Sequence, residues 1–245
     1  MSKLLSMFVL GWVCASELCY ADERTTVFLD DNKIIYQGAL TKEANNQVFE
    51  LYKKNSTNIS WISIKSVGGE VNTGLDLAEF INQNGLNIEV TEYCLSSCAN
   101  YVFPAADEKS ISTHALIGFH GGTTGMAAGM VDYINTLPKS EREAKQKWFD
   151  EYGAKTFARE ADFYKEIDVN QKITTLGQSD AYKKYETVGD YVGWYYSIGD
   201  LNKLGVQNIS VITPPWTFKQ LSEKSKFFKV DVIMFKNNHM SELVI

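Results

Sequence analysis

Short apolar runs, separated by polar turn residues, recur along the first half of the chain. Four of them predict strands: TTVFLDDNKIIYQGAL (25–40, as two strands), ISWISIKS (59–66), NIEVTEYC (87–94) and HALIGFH (114–120). Two stretches between them carry apolar residues at steps of three and four and predict helices: TKEANNQVFELYKK (41–54) and NTGLDLAEFINQNGLN (72–87). Thr41 is a candidate cap for the first helix, and the second ends near Gly85.

The order of these elements indicates the fold class. A further stretch, CANYVFPAA (98–106), predicts a short helix closed near Pro104. Strands and helices then alternate from residue 59 to residue 120, which is typical of βαβ units. We therefore expect one α/β domain over residues 22–245, with a largely parallel sheet covered by helices.

The second half of the chain is less regular. Residues 139–168 form a charged, aromatic-rich helical region, and Ser140 with Glu143 matches a capping box after Pro138. Such a region usually combines packing with a solvated face, and a lid or an oligomer handle within residues 139–185 is the more specific hypothesis. After residue 210 the pattern predicts a loop, a short helix and a last strand.

Composition limits the function classes. The 245 residues are 44% hydrophobic and 22% charged, as in globular proteins. The net charge of -6 argues against a general nucleic-acid binder.

The first 21 residues resemble a secretory signal peptide: Lys3, a short apolar stretch, and a small residue at Ala21 where we expect cleavage. Cleavage would remove two of the four cysteines and leave Cys94 and Cys98 in an oxidising compartment, secreted and most simply periplasmic. We expect these two to form a disulfide. Two thiols and few histidines do not complete a metal shell, so no metal is predicted.

Three segments carry the candidate chemistry: SVGGEV (66–71), SSCA (96–99) and IGFH (117–120), each at the end of a predicted strand. Ligands of parallel sheets bind beyond the carboxyl ends of the strands, so these segments are expected to meet. A serine, a histidine base and backbone N–H donors together permit acyl transfer. Each segment by itself is more often structural, because serines at a strand-to-helix junction are commonly helix caps.

Taken together, SVGGEVNTGLDLAEFI, SSCANYVFPAA, IGFH and the later YYSIGDLNKLGVQN resemble the Clp protease proteolytic subunit and its secreted relatives, in the crotonase-like superfamily, over roughly residues 26–212. The resemblance implies a ClpP/crotonase-like fold built from ββα units. It implies Ser97 as nucleophile, His120 as base, and the amides of Gly69 and Cys98 as the oxyanion hole.

Two assignments stay open. Ser97 fits the spacing of the family better, whereas Ser96 is central between the two cysteines, as the serine is in some secreted relatives. Gly193 stands where the family has its acid, so Asp190, or alternatively Asp168, would have to orient His120.

The sequence therefore predicts a serine hydrolase, most simply a peptidase acting on a peptide or protein, without metal or organic cofactor. The resemblance also implies a homo-oligomer. The alternative is a catalytically inactive ClpP-like binding or assembly module. A cysteine nucleophile at Cys98 and an acyl-CoA enzyme of the crotonase type fit less well.

Overall fold

Nine strands form one mixed sheet in this computed structural model, which describes residues 24–187, 190–237 and 240–244. The main path runs β1-β2-β3-β4-β6-β7-β9, and β5 pairs with both β4 and β8. Within the described residues, six of the eight pairings in this sheet are parallel and two, β1–β2 and β6–β7, are antiparallel. The expected mixed α/β architecture is confirmed.

The strands are β1 (Thr26–Asp30), β2 (Lys33–Gln37), β3 (Trp61–Ser66), β4 (Asn87–Leu95), β5 (Lys109–Ile111), β6 (Leu116–Phe119), β7 (Tyr191–Tyr196), β8 (Ile209–Val211), β9 (Lys226–Val230) and the separate hairpin β10 (Ile233–Asn237) with β11 (Met240–Val244). The helices are α1 (Lys42–Asn55), α2 (Val71–Gln83), α3 (a π-helical turn Cys98–Val102 that continues as Phe103–Ala105), α4 (Thr123–Thr136), α5 (Lys139–Glu166), α6 (Lys184–Thr187) and α7 (Ile198–Lys203).

Local chemistry explains the ends of the first two helices. The Thr41 side chain accepts a hydrogen bond from the Ala44 amide, as its position before α1 predicts. Glu70 caps α2 by accepting from the amides of Asn72 and Thr73. Gly85 follows α2 with a φ of +57°, a conformation that glycine adopts at little cost.

Strand β4 organises the sheet because its nine residues serve two neighbours. On the edge away from β3, residues 88–90 pair with β5 and residues 93–95 pair with β6. Its other edge pairs with β3 over most of its length. As a result the carboxyl ends of β3, β4 and β6 lie side by side and point the same way.

The core lies mainly between the sheet and the helices. Alternate strand residues such as Ile62, Ile64 and Val90 are fully buried there, together with Leu77 and Ile81 of α2. A smaller cluster covers the opposite face: Tyr93, Leu95, Leu116 and Phe227. His120 has the same parity as Leu116 along β6, so it emerges on the side of this smaller cluster.

In the second half, one helix was missed and two local predictions were wrong. The chain forms a helix, α4, where none was expected, because its glycine-rich sequence GGTTGMAAGM weakens the helical signal. Ser140 and Glu143 form no capping box, since α5 already begins at Lys139 after the extended Pro138. Residues 214–225 form no helix and instead lead into β9.

The predicted signal peptide falls outside the described residues. Among the residues that are described, no helix is both long and apolar enough to cross a bilayer.

Candidate active site

The three segments singled out in the sequence meet at one edge of the sheet. Ser66 pairs with Cys94 between β3 and β4, and Leu95 pairs with Gly118 between β4 and β6. The residues that follow these pairs are therefore neighbours: the Gly68–Gly69 turn, Ser96 and His120. Parallel register brings together groups that are up to about fifty residues apart in the chain.

Ser96 lies against the histidine. Its Oγ is 2.7 Å from His120 Nε2. Its backbone has a φ of +55°, which is uncommon for a residue with a side chain. The turn is held on both sides, because the Ser96 amide donates to the Gly118 carbonyl and the Ser96 carbonyl accepts from the Asn100 amide. The strand-to-helix turn thus directs the Ser96 hydroxyl toward the His120 ring.

Ser97, favoured by the spacing argument, has a different environment. Its hydroxyl donates to the Gly69 carbonyl at 2.7 Å, and only 3% of the residue is exposed. It packs against α2, where a Cβ added to Gly74 would lie 2.8 Å from Ser97 Cβ. The structure thus places the alternative serine, Ser96, next to the base and gives Ser97 a packing position.

Cys94 and Cys98 are joined by a disulfide that brackets Ser96. Both cysteines are fully buried. Cys98 therefore has no free thiol in this structure. The cross-link joins the end of strand β4 to the first turn of α3, so it limits how far the serine turn can move.

The Gly68–Gly69 turn lies directly against the serine turn. A Cβ on Gly68 would lie 2.7 Å from Ser96 Cβ and 2.9 Å from the Ser97 nitrogen, and the φ of Gly68 is +89°. Only glycine fits this approach without strain.

The orientation of the Gly68–Gly69 peptide can be deduced from one hydrogen bond. The Gly68 carbonyl accepts from the Leu40 amide at 2.8 Å, on the β2 side of β3. In a trans peptide the C=O and N–H point in opposite directions, so the Gly69 N–H points toward the serine turn. Ser97 opens a helix, and its N–H has no acceptor one turn earlier. These two amides are candidates for an oxyanion hole; the Cys98 amide named from the sequence is one residue further along.

His120 is poised as a neutral base. One face of the residue is exposed to solvent, yet desolvation by the surrounding atoms lowers the pKa of His120 below its ordinary 6.5. Nε2 can accept the Ser96 hydroxyl proton only when Nδ1 carries the ring proton. A neutral imidazole in this tautomer can take a proton from a serine.

No carboxylate of the described residues lies within ion-pair distance of the His120 ring. Gly193 is opposite His120 by the register of β6 and β7, but a Cβ there would overlap the Phe119 carbonyl and lie 3.0 Å from the Phe227 ring. Asp190 is exposed before β7, and its backbone carbonyl accepts from the Lys226 amide. Asp168 lies in a turn against Gly205. The geometry gives neither aspartate a contact with the base.

Sequence reasoning missed a buried polar network beside the site. Glu160 of α5 is fully buried and accepts hydrogen bonds from Tyr101 (2.6 Å), Gln171 (2.7 Å) and the hydroxyl and amide of Thr123. Asn100 donates to the Gly121 carbonyl at 2.7 Å. These bonds connect α3, α5 and the turn after His120. No sequence signal marks them, because their partners are 11 to 59 residues apart and follow no periodic pattern.

Helix α5 also reaches the glycine turn. Tyr152 donates to Glu70 at 2.6 Å, one residue after Gly69. Burial of Glu70 raises its pKa, but hydrogen bonds from Tyr152 and from the first amides of α2 outweigh burial and leave the pKa of Glu70 lowered. Two turns on, Arg159 forms ion pairs with Asp76 and Glu79 of α2. Residues 139–166 are thus a helix packed on α2 beside the site.

No cluster of three or more histidine, cysteine or acidic side chains that could bind a metal occurs in the part of the chain that the structure describes.

Comparison with known proteins adds little. No family model matches the chain, and no curated protein matches it. One solved structure that is similar in part is a mutant form of the 1510-N membrane-bound stomatin-specific protease, with 13% identity and a TM-score of 0.30. The match covers 42% of this chain and 62% of that one. A TM-score this low does not establish a shared fold or a shared function.

Proposed function

We propose that this chain is a secreted serine hydrolase of the ClpP-like type, most simply a peptidase, in which Ser96 is the nucleophile and His120 the base. The observation that carries the proposal is the 2.7 Å approach of Ser96 Oγ to His120 Nε2 on a turn with positive φ. A helix cap needs neither the left-handed conformation nor the histidine.

The geometry supports a complete acyl-transfer sequence. Ser96 Oγ attacks a substrate carbonyl carbon while its proton passes to His120 Nε2. The negative charge that forms on the carbonyl oxygen is bound by the amides of Gly69 and Ser97. His120 then returns the proton to the leaving amine, and a water molecule, deprotonated by the same ring, releases the acyl group.

The proposal differs from the strongest sequence hypothesis in two respects. The nucleophile is Ser96 rather than Ser97, and the second oxyanion amide is that of Ser97 rather than Cys98. Because no carboxylate of the described residues contacts the His120 ring, the proposed reaction uses a Ser–His dyad. The buried disulfide fits an oxidising compartment, which supports the secreted, periplasmic location. The homo-oligomer and the identity of the peptide substrate stay predictions.

A fluorophosphonate probe tests the proposal. The wild-type chain, produced with its disulfide intact, should be labelled, and Ser96→Ala and His120→Ala should lose labelling. Ser97→Ala keeps the backbone amide and should still be labelled, at a reduced rate. Ser197→Ala, which changes a serine in a helix cap, is the matched control and should label like wild type.

The result that contradicts the proposal is equally specific. If the folded wild type is not labelled, the alternative of a ClpP-like binding or assembly module is favoured. If Ser97→Ala loses labelling and Ser96→Ala retains it, the assignment of the nucleophile is wrong.

A further inference from the structure

We infer that Asn100 is a positioning residue that fixes the position of the His120 turn relative to the serine turn; the inference rests on the proposed function. Asn100 forms one hydrogen bond to each half of the dyad. Its backbone amide donates to the Ser96 carbonyl at 2.8 Å, and its side-chain Nδ2 donates to the Gly121 carbonyl at 2.7 Å. The first bond is a backbone bond that other residues would also form, so what the asparagine side chain itself adds is the bond to the peptide that follows the base.

The histidine turn needs such a support. His120 is followed by Gly121 and Gly122, and Gly121 has a φ of +137°. Two consecutive glycines leave the backbone after the base with much conformational freedom. The usual device for orienting a catalytic imidazole is a carboxylate on its second nitrogen. Among the described residues no carboxylate takes that place, so the orientation of the ring depends on how firmly the backbone at residues 120–122 is held.

Packing alone does not explain an asparagine here. The residue is 2% exposed, and its Oδ1 is buried without a hydrogen-bond partner within the described structure. An unsatisfied buried acceptor costs about 1–3 kcal/mol, which an apolar side chain of similar size would avoid. The group retained despite this cost is the Nδ2 donor, and its acceptor is the carbonyl next to the base.

The rest of the network strengthens the assignment. The Asn100 carbonyl accepts from the Tyr164 hydroxyl at 2.6 Å, so α5 fixes Asn100 itself. Glu160 of the same helix binds Thr123, three residues after His120. The histidine turn is thus held at Gly121 by Asn100 and at Thr123 by Glu160, and Asn100 is the link that also reaches Ser96.

The chain offers a matched control in Asn45. This residue is also 2% exposed, and its Nδ2 also donates to a buried carbonyl, that of Thr73, at 2.8 Å. The bond joins α1 to α2 and does not involve the histidine turn. Asn100→Ala and Asn45→Ala therefore remove the same Nδ2 donor bond at equal burial in two different places, and Asn45→Ala also removes the bond that Asn45 Oδ1 accepts from the Tyr36 hydroxyl.

Two measurements on the intact chain test the role. In steady-state hydrolysis of a peptide or ester substrate, Asn100→Ala should lower kcat by about 10²-fold with little change in KM, because misplacing a reacting group costs that much without altering ground-state binding. Asn100→Asp, which keeps the size but loses the donor, should lose as much. Asn45→Ala should keep kcat while losing similar stability.

The second measurement is independent of activity. In an NMR titration of the histidine rings, Asn100→Ala should shift the pKa of His120 toward 6.5, whereas Asn45→Ala should not. Unchanged kcat and an unchanged His120 titration in folded Asn100→Ala, or in Asn100→Asp if the first variant does not fold, would overturn the inference. If the wild type proves inactive, the proposed function fails, and the titration alone still decides whether Asn100 positions the ring.

Discussion

Two strand-to-helix junctions in this chain place a serine at the start of a helix, and they use it in different ways. At the β7–α7 junction Ser197 has an extended backbone, its Oγ accepts from the Asp200 amide, and the hydroxyl donates to the Asp200 carboxylate at 2.6 Å. At the β4–α3 junction Ser96 has a φ of +55°, and its hydroxyl faces His120. The Ser197 hydroxyl therefore caps its own helix, whereas the Ser96 hydroxyl is directed at a side chain of another segment.

The difference lies in the backbone and in what crosses the junction. Ser197 satisfies an amide that would otherwise be unpaired, which is what a cap does. The turn at Ser96 is held by the Gly118 carbonyl on β6, by the close approach of Gly68, and by the disulfide that spans the turn itself. Because these contacts stabilise the β4–α3 junction, it does not need the Ser96 hydroxyl as a helix cap, and the hydroxyl remains available for chemistry.

The most direct test of the different roles of Ser96 and Ser197 is to remove the partner of each serine. His120→Gln should lower kcat by about 10²–10⁴-fold, the usual contribution of a general base, with little effect on stability. Asp200→Asn should leave kcat intact and lower the free energy of unfolding by about 1–3 kcal/mol, because Ser197, Lys203 and the Val232 amide lose a charged acceptor. Hydrolysis rates and urea unfolding of both variants check this.

An opposite pattern, in which Asp200→Asn lowers kcat at full stability while His120→Gln does not, would reverse the roles of the two junctions.

A second test uses one glycine at each junction. Gly68→Ala places a Cβ 2.5 Å from the Leu95 carbonyl at a positive φ, so the serine turn must shift. We expect kcat to fall by about 10²-fold and stability by about 1–2 kcal/mol. Gly199→Ala in α7 meets only the Ser197 hydroxyl at 3.9 Å and should stabilise the helix by about 0.5–1 kcal/mol without loss of activity.

Full activity of a folded Gly68→Ala variant would mean that the glycine turn does not contribute to the site.

The contrast also explains how much the sequence could predict. The strands and the three motif segments were predictable, because apolar periodicity reports β3, β4 and β6 directly, and parallel strands end at one edge. The choice between Ser96 and Ser97 was not predictable from spacing, since it depends on one backbone dihedral that the Gly68 approach and the disulfide impose. Asn100 and Glu160 were not predictable either, because their partners are distant in the chain and follow no periodic pattern. Helix α4 was missed because glycines obscure its apolar positions.

A third test addresses the disulfide, which the β7–α7 junction lacks. Cys94→Ala/Cys98→Ala should lower stability by about 2 kcal/mol, the chain-entropy value for so short a loop. It should also lower kcat, because the β4–α3 turn loses a constraint on Ser96. In the folded wild type both cysteines are fully buried, so a mild reductant should have little effect on activity until the chain unfolds. Thiol counting in parallel with rate measurements tests both statements.

If the double variant hydrolyses substrate at the wild-type rate, the disulfide stabilises the fold but does not position the serine.

The smallest expected effect separates the junctions by pH. Desolvation lowers the pKa of His120 in the folded chain below its ordinary 6.5. At a pH between the folded pKa and 6.5, the unfolded chain therefore binds more protons than the folded chain. Stability should therefore rise with pH up to about 6.5, and kcat should rise through the lowered folded pKa and then level off.

Burial raises the pKa of Asp200, but hydrogen bonds from Lys203, Ser197 and Val232 outweigh it and leave that pKa below 3.8. Its contribution is present above 3.8 and is lost as pH falls through the folded pKa. Urea unfolding from pH 2 to 8 should show both steps. The upper step should be missing in His120→Gln, and the lower step, to which Glu70 with its lowered pKa also contributes, should be smaller in Asp200→Asn. If His120→Gln retains the upper step, another group causes it, and the histidine is not the desolvated base that the site requires.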